Sequence, residues 1–453
     1  MKNQQGSMLT LTLVFLLIFG LLFVSLAGLV SRTYHESVLQ AQDETAFQVA
    51  EAGLNFARWR LAHDPDDFSA ATRNLNDQFA GLLGTYDLTF VQPLAGSSVV
   101  EITAVGRTAS RPTRTVTLRA RYGQPSLARY AAITAGDVWY GGALNGPVHA
   151  NGGIRMDGSS DSSVTSAQET YACQPIHGCS APWQTKPGVW GAGTKSELWE
   201  FPVTPVDYNA LTADLLDMKE AAQASHTYYG PLSEPGYQII FNSNNTYTIS
   251  KVKTKGPLVQ SCMYQPTWQC ENSSYDVNQL TTIETKSVPS NGVIFVEDTL
   301  WVKGDIRDRV AVAAGVFPDQ PATNVDIIPN GSLSYGGVHD GSRVFAAVAQ
   351  RHILIPWSGA EDNMTLEGAY VAQKGSFHRR YYPTDPHRLK TSLTRYGMVA
   401  SNGVPVTAWL SGNSVVSGFQ SSNASYDSHL QYAPPPYFPT SGQFDFISWE
   451  EKQ

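Results

Sequence analysis

Hydrophobic positions at the N-terminus form one uninterrupted run. From Ser7 to Ser31 the chain has 25 residues without a charged side chain, and Leu, Val, Phe, Ile and Ala dominate them. A helix of this length can span a bilayer core of about 30 Å. The run follows six residues with one lysine, so the preference for positive charge on the cytoplasmic side predicts a cytoplasmic N-terminus. We therefore expect a single-pass membrane helix, with the remainder of the chain outside.

After the apolar run, the hydrophobic pattern takes on a helical period. Apolar residues recur at three- and four-residue steps, which predicts one stripe on a continuing helix. The stripe residues are Phe47, Ala50, Leu54, Ala57 and Leu61. Asp64-Pro65 ends the predicted helix of residues 7–64, because proline disfavours helix in the residue before it. The helix would form a rod of about 80 Å, and the apolar stripe on its second half favours packing in a helical bundle. A cleaved secretory signal is the alternative, although its apolar core usually has only about 7–15 residues.

Short alternating runs predict a small antiparallel sheet in residues 65–128. The runs are Tyr86 to Phe90, Val99 to Val105 and Thr115 to Tyr122, with turn residues between them. In the third run, apolar residues alternate with Thr and Arg, as is typical of an edge strand with one wet face. Six arginines lie between residues 107 and 129. DNA binding by this patch is a less favoured alternative to a solvated face.

From about residue 131 the chain consists of short β-runs separated by Gly and Asn. Three similar runs align on Val348, Val371 and Val399, at spacings of 23 and 28 residues. Such a period is typical of a solenoid, in which stacked repeats bury what one repeat cannot. We predict a mainly β fold whose head, residues 129–453, is a right-handed parallel β-helix; a β-sandwich is the alternative. The proline-rich end from Tyr432 to Trp449 is expected to wrap or cap the last repeat.

The four cysteines stand as two close pairs in a predicted Cys- and Trp-rich insertion at about 168–289. The pairs are Cys173 with Cys179, and Cys262 with Cys270. In an oxidising compartment they most simply form two short-loop disulfides, although four cysteines allow three pairings. A four-cysteine zinc site is the competing interpretation, but the CxxC spacing is absent. The sequence predicts two disulfides, with no metal site and no cofactor.

Charged residues give little indication of catalysis. The chain has 31 basic and 39 acidic residues, a net charge of −8, which provides no overall field for nucleic acid or anionic lipid. Glycosidases need two carboxylates facing one bond, and the nearest pairs are Glu297 with Asp298 and Asp305 with Asp308. Both pairs are typical of solvated turns, and no nucleophile-elbow, zinc-protease, P-loop or EF-hand motif occurs. No catalytic residue is predicted.

Two further segments are candidates for binding. Phe377, His378, Arg379 and Arg380 combine an aromatic ring with cations, which suggests contact with a glycan, nucleic acid or partner surface. An exposed charged turn is the simpler interpretation. The segment from Asp157 to Asp161 has oxygen ligands for Ca²⁺, and a polar turn explains it about equally well.

The N-terminus resembles that of PilX-type minor pilins. The resemblance is carried by the Gly6-Ser7 junction before the apolar run and by AFQVAEAGL from Ala46 to Leu54, which includes Glu51. It implies a leader of residues 1–6, which a prepilin peptidase removes between Gly6 and Ser7. Major pilins usually have glutamate as the fifth mature residue, thought to pair with the amine of a neighbouring stem, and this chain has Leu11 there. The difference points to a rarely used subunit near a tip.

The resemblance also implies a function and a set of partners. The expected function is that of a minor pilin-like protein, assembled into a type IV pilus or pseudopilus through its helix, with a head for cell adhesion or tip initiation at the cell surface. The expected partners are other pilin or pseudopilin subunits, the prepilin peptidase and, before assembly, the inner membrane. A surface glycan or another cell is a further candidate, and nucleic acid is not expected. The alternative is a membrane-tethered β-helix lyase or hydrolase that acts on carbohydrate.

Overall fold

The chain is mainly β, with one long N-terminal helix, and it forms two compact units. The first unit comprises Met1–Gln92, Val100–Tyr122 and Phe446–Gln453, and the second comprises Pro93–Val99 and Gly123–Asp445. The structure is a computed structural model. It describes residues 5–79, 81–94, 97–174, 177–180, 182–208, 211–264, 267–412, 414–440 and 444–452, without the side chains of residues 5–7 and 211–213.

The described helices and strands have the following bounds. The α-helices are α1 (Gln5–His63) and α2 (Leu211–Ala224). The strands are β1 (Ala71–Asp77), β2 (Gly81–Val91), β3 (Val100–Thr108), β4 (Thr115–Gly123), β5 (Ala132–Thr134), β6 (Val138–Tyr140), β7 (Val148–Ala150), β8 (Ile154–Met156), β9 (Val164–Ser166), β10 (Thr170–Cys173), β11 (Gln184–Pro187), β12 (Val189–Trp190), β13 (Trp199–Glu200), β14 (Tyr228–Tyr229), β15 (Gly236–Phe241), β16 (Thr246–Lys255), β17 (Val259–Tyr264), β18 (Trp268–Ser273), β19 (Val277–Ser287), β20 (Val293–Val296), β21 (Leu300–Asp305), β22 (Arg309–Ala314), β23 (Ile327–Ser334), β24 (Val344–Ala349), β25 (Ile353–Ile355), β26 (Asn363–Ala372), β27 (Phe377–Arg379), β28 (Leu389–Ser401), β29 (Ala408–Ser411), β30 (Ser414–Ser425) and β31 (Asp445–Lys452).

The first unit contains α1 and a sheet with the strand order β1-β2-β3-β4-β31. The pairs β2–β3 and β3–β4 are antiparallel, as predicted, and the further strand β1, which the sequence did not predict, pairs antiparallel with β2. Every second residue of β3 and β4 is buried, because alternate side chains of a strand point to opposite faces. The prediction of an edge strand at β4 is wrong, since β31 pairs along its other side. Part of the predicted C-terminal cap therefore belongs to this sheet.

The two halves of α1 have different surroundings. From Met8 to Val30 the large apolar side chains are exposed, between 48% and 75% of each surface. From Ala46 onward, apolar residues on one stripe are buried against the sheet. Among the described residues, α1 is the helix that is long and apolar enough to cross a membrane, judged by length and composition.

The second unit is built largely from parallel strand pairs. In the longest series, β14, β20, β22, β24, β26, β28, β5, β7, β9 and β13 pair in that order, each parallel to the next. A second series comprises β15, β21, β23, β25 and β27, and a third comprises β6, β8 and β12. Their side chains fill three main cores, one around Val302 and Phe345, a second around Phe295 and Val348, and a third around Val148 and Ile154.

The longest series does not follow the order of the chain. Its earliest strand, β5, pairs with the late strand β28, where Ala132 lies opposite Val399. From β5 the chain runs through β7 and β9 to β13, the end of the series. It begins again at β14, the opposite end, and returns to β28. Strands β5 and β7 of the predicted first repeats are thus in the interior of the series, with β5 beside β28.

The sequence alignment of the three similar runs is wrong by one residue at the third run. Val348 lies opposite Val371, as aligned, but Val371 lies opposite Ala400, and Val399 lies opposite Tyr370. A slip of one residue moves side chains to the other face of a strand. Val399 and Ala400 are both buried, so hydrophobicity alone did not reveal the slip.

The beginning of the second unit has a shorter repeat, which the sequence analysis missed. Ala132, Val148 and Val164 stand opposite one another at intervals of 16 residues, and Val138 stands opposite Ile154 at the same interval. Outside these apolar positions, few residues agree between the repeats. The period is therefore weak in the sequence, although the strand register follows it.

The predicted insertion at 168–289 is only partly separate from the parallel strand series. It contains β14 and β15, which belong to the parallel series: Tyr228 lies opposite Phe295, and Tyr237 lies opposite Leu300. The antiparallel additions are the pair β10–β11, the set β15–β16–β19 and the pair β17–β18.

Helix α2 packs on the second core and has one unfavourably placed carboxylate. Leu215, Met218 and Ala222 are fully buried at three- and four-residue steps, which fixes the orientation of the helix. Burial and the negative charge of Asp217 raise the pKa of Asp214 to about 6. The backbone N–H of Thr440 donates to this carboxylate and partly offsets the rise. One oxygen of Asp214 is buried without a hydrogen bond.

Replacing Asp214 by asparagine is expected to stabilise the protein at pH 7.5 and to have little effect at pH 4. A carboxyl whose pKa is higher in the folded state binds its proton more tightly there, so its contribution to stability falls as the pH rises from about 4 to 6. Thermal unfolding midpoints across this range test the prediction. Glu220→Gln, at an exposed position of the same helix, is the control. An equal gain at both pH values would contradict the assignment.

Candidate functional site

The candidate site in the first unit is helix α1 with the sheet that holds its second half. The buried helix residues are Ala46, Val49, Ala50, Leu54, Ala57 and Leu61, each at most 5% exposed. Ile102 and Leu118, both fully buried, belong to the same core. The sheet comes closest at Gly106, where a Cβ atom would lie 2.2 Å from the carbonyl oxygen of Ala46. Backbone of the helix and backbone of β3 are thus in direct contact.

The predicted stem residues have different surroundings in the structure. Ala50, Leu54, Ala57 and Leu61 are buried against the chain's own sheet, so they are not available to a neighbouring subunit. Phe47 is half-buried, with its ring centroid 6.1 Å from that of Trp449 in β31. Glu51 and Leu11 are exposed. The surface left for helix partners is therefore the apolar first half of α1.

The predicted leader junction lies at the start of the same helix. Gly6 and Ser7 are within α1, although the side chain of Ser7 is outside the described part. Residues 1–4 of the predicted leader lie outside the described residues.

Carboxylates pair with several of the arginines on the sheet. Arg107 lies 2.5 Å from Asp87, and Arg119 and Arg121 both lie 3.3 Å from Glu101. Arg114 forms a two-pronged ion pair with Asp43 of α1, and its hydrogen bonds lower the pKa of that carboxyl. Because these carboxylates neutralise the arginines, the sheet has much less net positive charge for binding phosphates than the sequence suggests.

The cysteines form two short-range disulfides in the second unit. Cys173 is bonded to Cys179, and Cys262 is bonded to Cys270 across the β17–β18 pair. The first lies in a small core with Tyr171, whose hydroxyl accepts a hydrogen bond from Trp190 at 2.8 Å. Because the loops close over only 6 and 8 residues, each disulfide constrains its own turn and does not join distant elements.

The carboxylates considered for catalysis bind to groups of the protein itself. Glu297 lies 2.9 Å from the ammonium group of Lys219 and accepts from the hydroxyl of Tyr228. Burial acts to raise the pKa of Glu297, but the hydrogen bonds from Tyr228 and Lys219 outweigh it and lower the pKa. Asp298 accepts backbone N–H groups of Leu232 and Thr299, and burial raises its pKa.

The other pair is also occupied. Asp305 lies 3.5 Å from Arg307, and Asp308 accepts from the amide of Asn245 at 3.1 Å.

The segment proposed to contact a ligand is internal. Phe377, His378 and Arg379 in β27 are at most 1% exposed, and Arg380 is 9% exposed. These side chains are therefore not at the surface, where a ligand contact or an exposed turn would place them. The guanidinium of Arg379 donates to three backbone carbonyls, those of Pro356, Trp357 and His387. The sequence could not distinguish a buried structural cation from an exposed one.

Arg380 and His378 have internal partners too. Arg380 lies 2.8 Å from Glu271 and donates to the hydroxyl of Tyr275. The ring centroids of His378 and His352 are 4.8 Å apart. Burial and this neighbouring imidazole hold the pKa of His378 well below its ordinary value.

The polar turn from Asp157 to Asp161 is held by protein donors. Asp157 accepts from the indole of Trp139 at 2.9 Å and from the guanidinium of Arg155 at 2.8 Å. Asp161 accepts from the backbone of Gly146 at 2.7 Å. These donors match a polar turn, which was one of the two interpretations of this segment.

The chain is thus a mainly β protein with a long, apolar N-terminal helix and two compact units. No protein-family model matches it, and no curated protein matches it. A solved structure similar to it is that of the competence-associated pilin ComZ from Thermus thermophilus, at 12% sequence identity and a TM-score of 0.34, with 91% of this chain and 98% of that chain covered. A TM-score of this size carries no inference about this chain.

Proposed function

We propose that the protein is a minor pilin-like subunit of a type IV pilus or pseudopilus. It assembles through α1 and displays its second unit at the cell surface for adhesion or tip initiation. The observation that carries this proposal is the division of α1, whose first half is apolar and exposed while its second half is packed on the chain's own sheet. A simple anchor does not need to continue as the core helix of a folded unit.

The exposed half of α1 needs an apolar environment. Leaving large apolar side chains in water costs about 25 cal/mol for each Å². A bilayer provides that environment before assembly, and the apolar helices of neighbouring subunits provide it afterwards. The proposed orientation has the N-terminus in the cytoplasm and the two units outside, as the basic leader favours.

Leu11 limits how the subunit is used. At this depth in the membrane an unpaired charge is costly, so a glutamate there would need the amine of a neighbouring stem. Leucine neither requires nor forms that pair. The subunit is therefore proposed to occupy few positions, at or near a tip.

The second unit is proposed to be a right-handed parallel β-helix that acts by surface display, without a chemical step. Its support is the long series of parallel pairs, since stacked repeats bury faces that no single repeat covers. The carboxylates that an enzyme would use are taken up by Lys219, Arg307 and backbone groups.

Cleavage of the leader tests the proposal. After co-expression with a prepilin peptidase, mass spectrometry is expected to find a mature chain that begins at Ser7. Gly6→Leu is expected to abolish the cut, because the peptidase must approach the backbone at this junction. Gly20→Leu is the matched control: it lies in the same apolar run, and a Cβ atom there meets nothing within 4 Å. An intact Met1 in the wild type, or cleavage near Ala27, would contradict the pilin assignment.

A further inference from the structure

A partly enclosed cavity lies in the second unit where β5 pairs with β28. Its volume is about 120 Å³, far above the ~10–15 Å³ that one water molecule requires. Residues from the beginning of the unit line one side, and residues of β26, β28 and β30 line the other. The lining includes Trp139, Tyr140, Asn145, Arg395, Tyr396 and Thr407.

Arg395 is a cation that lines this cavity, and no described carboxylate neutralises its charge. Among the described residues, no carboxylate lies within ion-pair distance of it and none lines the cavity. Its Nε atom is buried without a hydrogen-bond partner. One face of the guanidinium packs near Phe377, 5.8 Å from the ring centroid. An unpaired and largely buried charge is unfavourable, and a bound anion would remove that cost.

The aromatic side chains around the cavity are fixed by contacts of their own. The indole of Trp139, 45% exposed, donates to Asp157 and is covered on one side by Arg155 at 4.3 Å. The ring of Tyr396 lies 4.2 Å from that of His339. Rings held in place before binding lose little entropy when a ligand arrives.

Neutral polar groups complete the lining. The hydroxyl of Tyr140 lies 3.3 Å from that of Thr134. Burial raises the pKa of Tyr140, and the hydrogen bond with Thr134 and the positive charge of Arg395 partly offset this rise. Asn145 and Thr407, with an amide and a further hydroxyl group, also line the cavity. A lining of one guanidinium, several hydroxyl or amide groups and aromatic faces suits a ligand with a carboxylate, hydroxyl groups and a C–H face.

We infer that this cavity binds one acidic sugar residue of a saccharide, with the carboxylate of the sugar on the guanidinium of Arg395 and its ring against Trp139 and Tyr396. Arg binds carboxylates through two parallel hydrogen bonds, which fixes orientation as well as charge. A peptide C-terminus shares the carboxylate but not the ring of hydroxyl groups. The inference gives a ligand class to the adhesive role proposed above, and rests on that role only for its biological setting.

Binding by the full chain in detergent tests the inference with tri-galacturonate as the probe, measured by calorimetry. Wild type is expected to bind it, and Arg395→Gln to lose at least tenfold in affinity. Ser425→Phe, at the exposed rim of the cavity, is expected to block the entrance while leaving the unfolding midpoint unchanged. Arg388→Gln is the matched control, since Arg388 pairs with Asp385 outside the cavity.

Two comparisons identify the ligand chemistry. Neutral tri-galactose is expected to bind at least tenfold more weakly, and a tripeptide with a free C-terminus is expected not to compete. Absence of tri-galacturonate binding by folded wild type, equal binding by Arg395→Gln, or binding of the tripeptide alone would each overturn the inference. These results do not depend on leader cleavage, so the inference and the proposed function can fail separately.

Discussion

Replacing Arg379 by alanine is expected to lower the free energy of unfolding of the second unit by about 3–5 kcal/mol. The side chain is fully buried, and it satisfies the carbonyl oxygens of Pro356, Trp357 and His387. Removal leaves these acceptors without donors, at about 1–3 kcal/mol for each group that water cannot reach. Denaturation followed by tryptophan fluorescence measures the loss.

An opposing effect limits this loss. Burial lowers the pKa of Arg379 to about 10, so holding its charge inside the protein is unfavourable, and alanine removes that charge. The unsatisfied carbonyls are expected to outweigh this relief, because there are three of them and they remain in place. Arg388→Ala is the control: its partner Asp385 is 70% exposed at the side chain, and such pairs contribute about 0–1 kcal/mol. Similar losses in the two variants would contradict the role assigned to Arg379.

Gly106→Ala is expected to destabilise the first unit by about 3 kcal/mol, at the upper end of the usual cost of overpacking. The new methyl group would lie 2.2 Å from the carbonyl oxygen of Ala46 and 2.5 Å from the nitrogen of Ala50. Both atoms belong to helix backbone, which cannot move aside as a flexible side chain can. Relief requires β3 to move away from α1, and amide hydrogen exchange in β3 would report that movement.

A matched variant separates crowding from the general effect of losing a glycine. A Cβ atom at Gly136 meets nothing within 4 Å, so Gly136→Ala is expected to be within about 0.5 kcal/mol of the wild type. If Gly106→Ala were equally harmless, the contact between helix and sheet described above would be wrong.

The sequence predicted the long helix and strands β2 to β4 of the first sheet because their signals are local. The uncharged run and the stripe ending at Leu61 each depend on residues within a few turns of one another. The antiparallel strands up to β4 are joined by short connections, so their order follows the chain. The four cysteines were also paired with their nearest neighbours.

Pairings between distant segments were not predictable in the same way. Strand β31 pairs with β4, and β5 pairs with β28. No local pattern specifies either partner, since strands with alternating or small apolar residues fit several neighbours equally well. The error of one residue at Val399 has the same origin.

Buried cations and histidines were the other source of error. In a sequence, Phe377 to Arg380 reads as a polar surface segment, because Arg and His are usually exposed. Their burial depends on acceptors as distant as Glu271 and Pro356, which only the folded chain brings near. Arg395 was missed for the same reason. Its distinguishing property is the absence of a described ion-pair partner, which a sequence does not reveal.

The pairing of β5 with β28 has a consequence for how the head is made. In the proposed orientation the second unit is exported in the order of the chain, so β5 reaches the outside long before residues 399–401, which form the partner edge. During that interval the edge of β5 is open to pairing with another chain. Contacts across so much sequence also slow folding. A product truncated before β28 would keep this edge open permanently, so it would remain exposed to pairing with other chains.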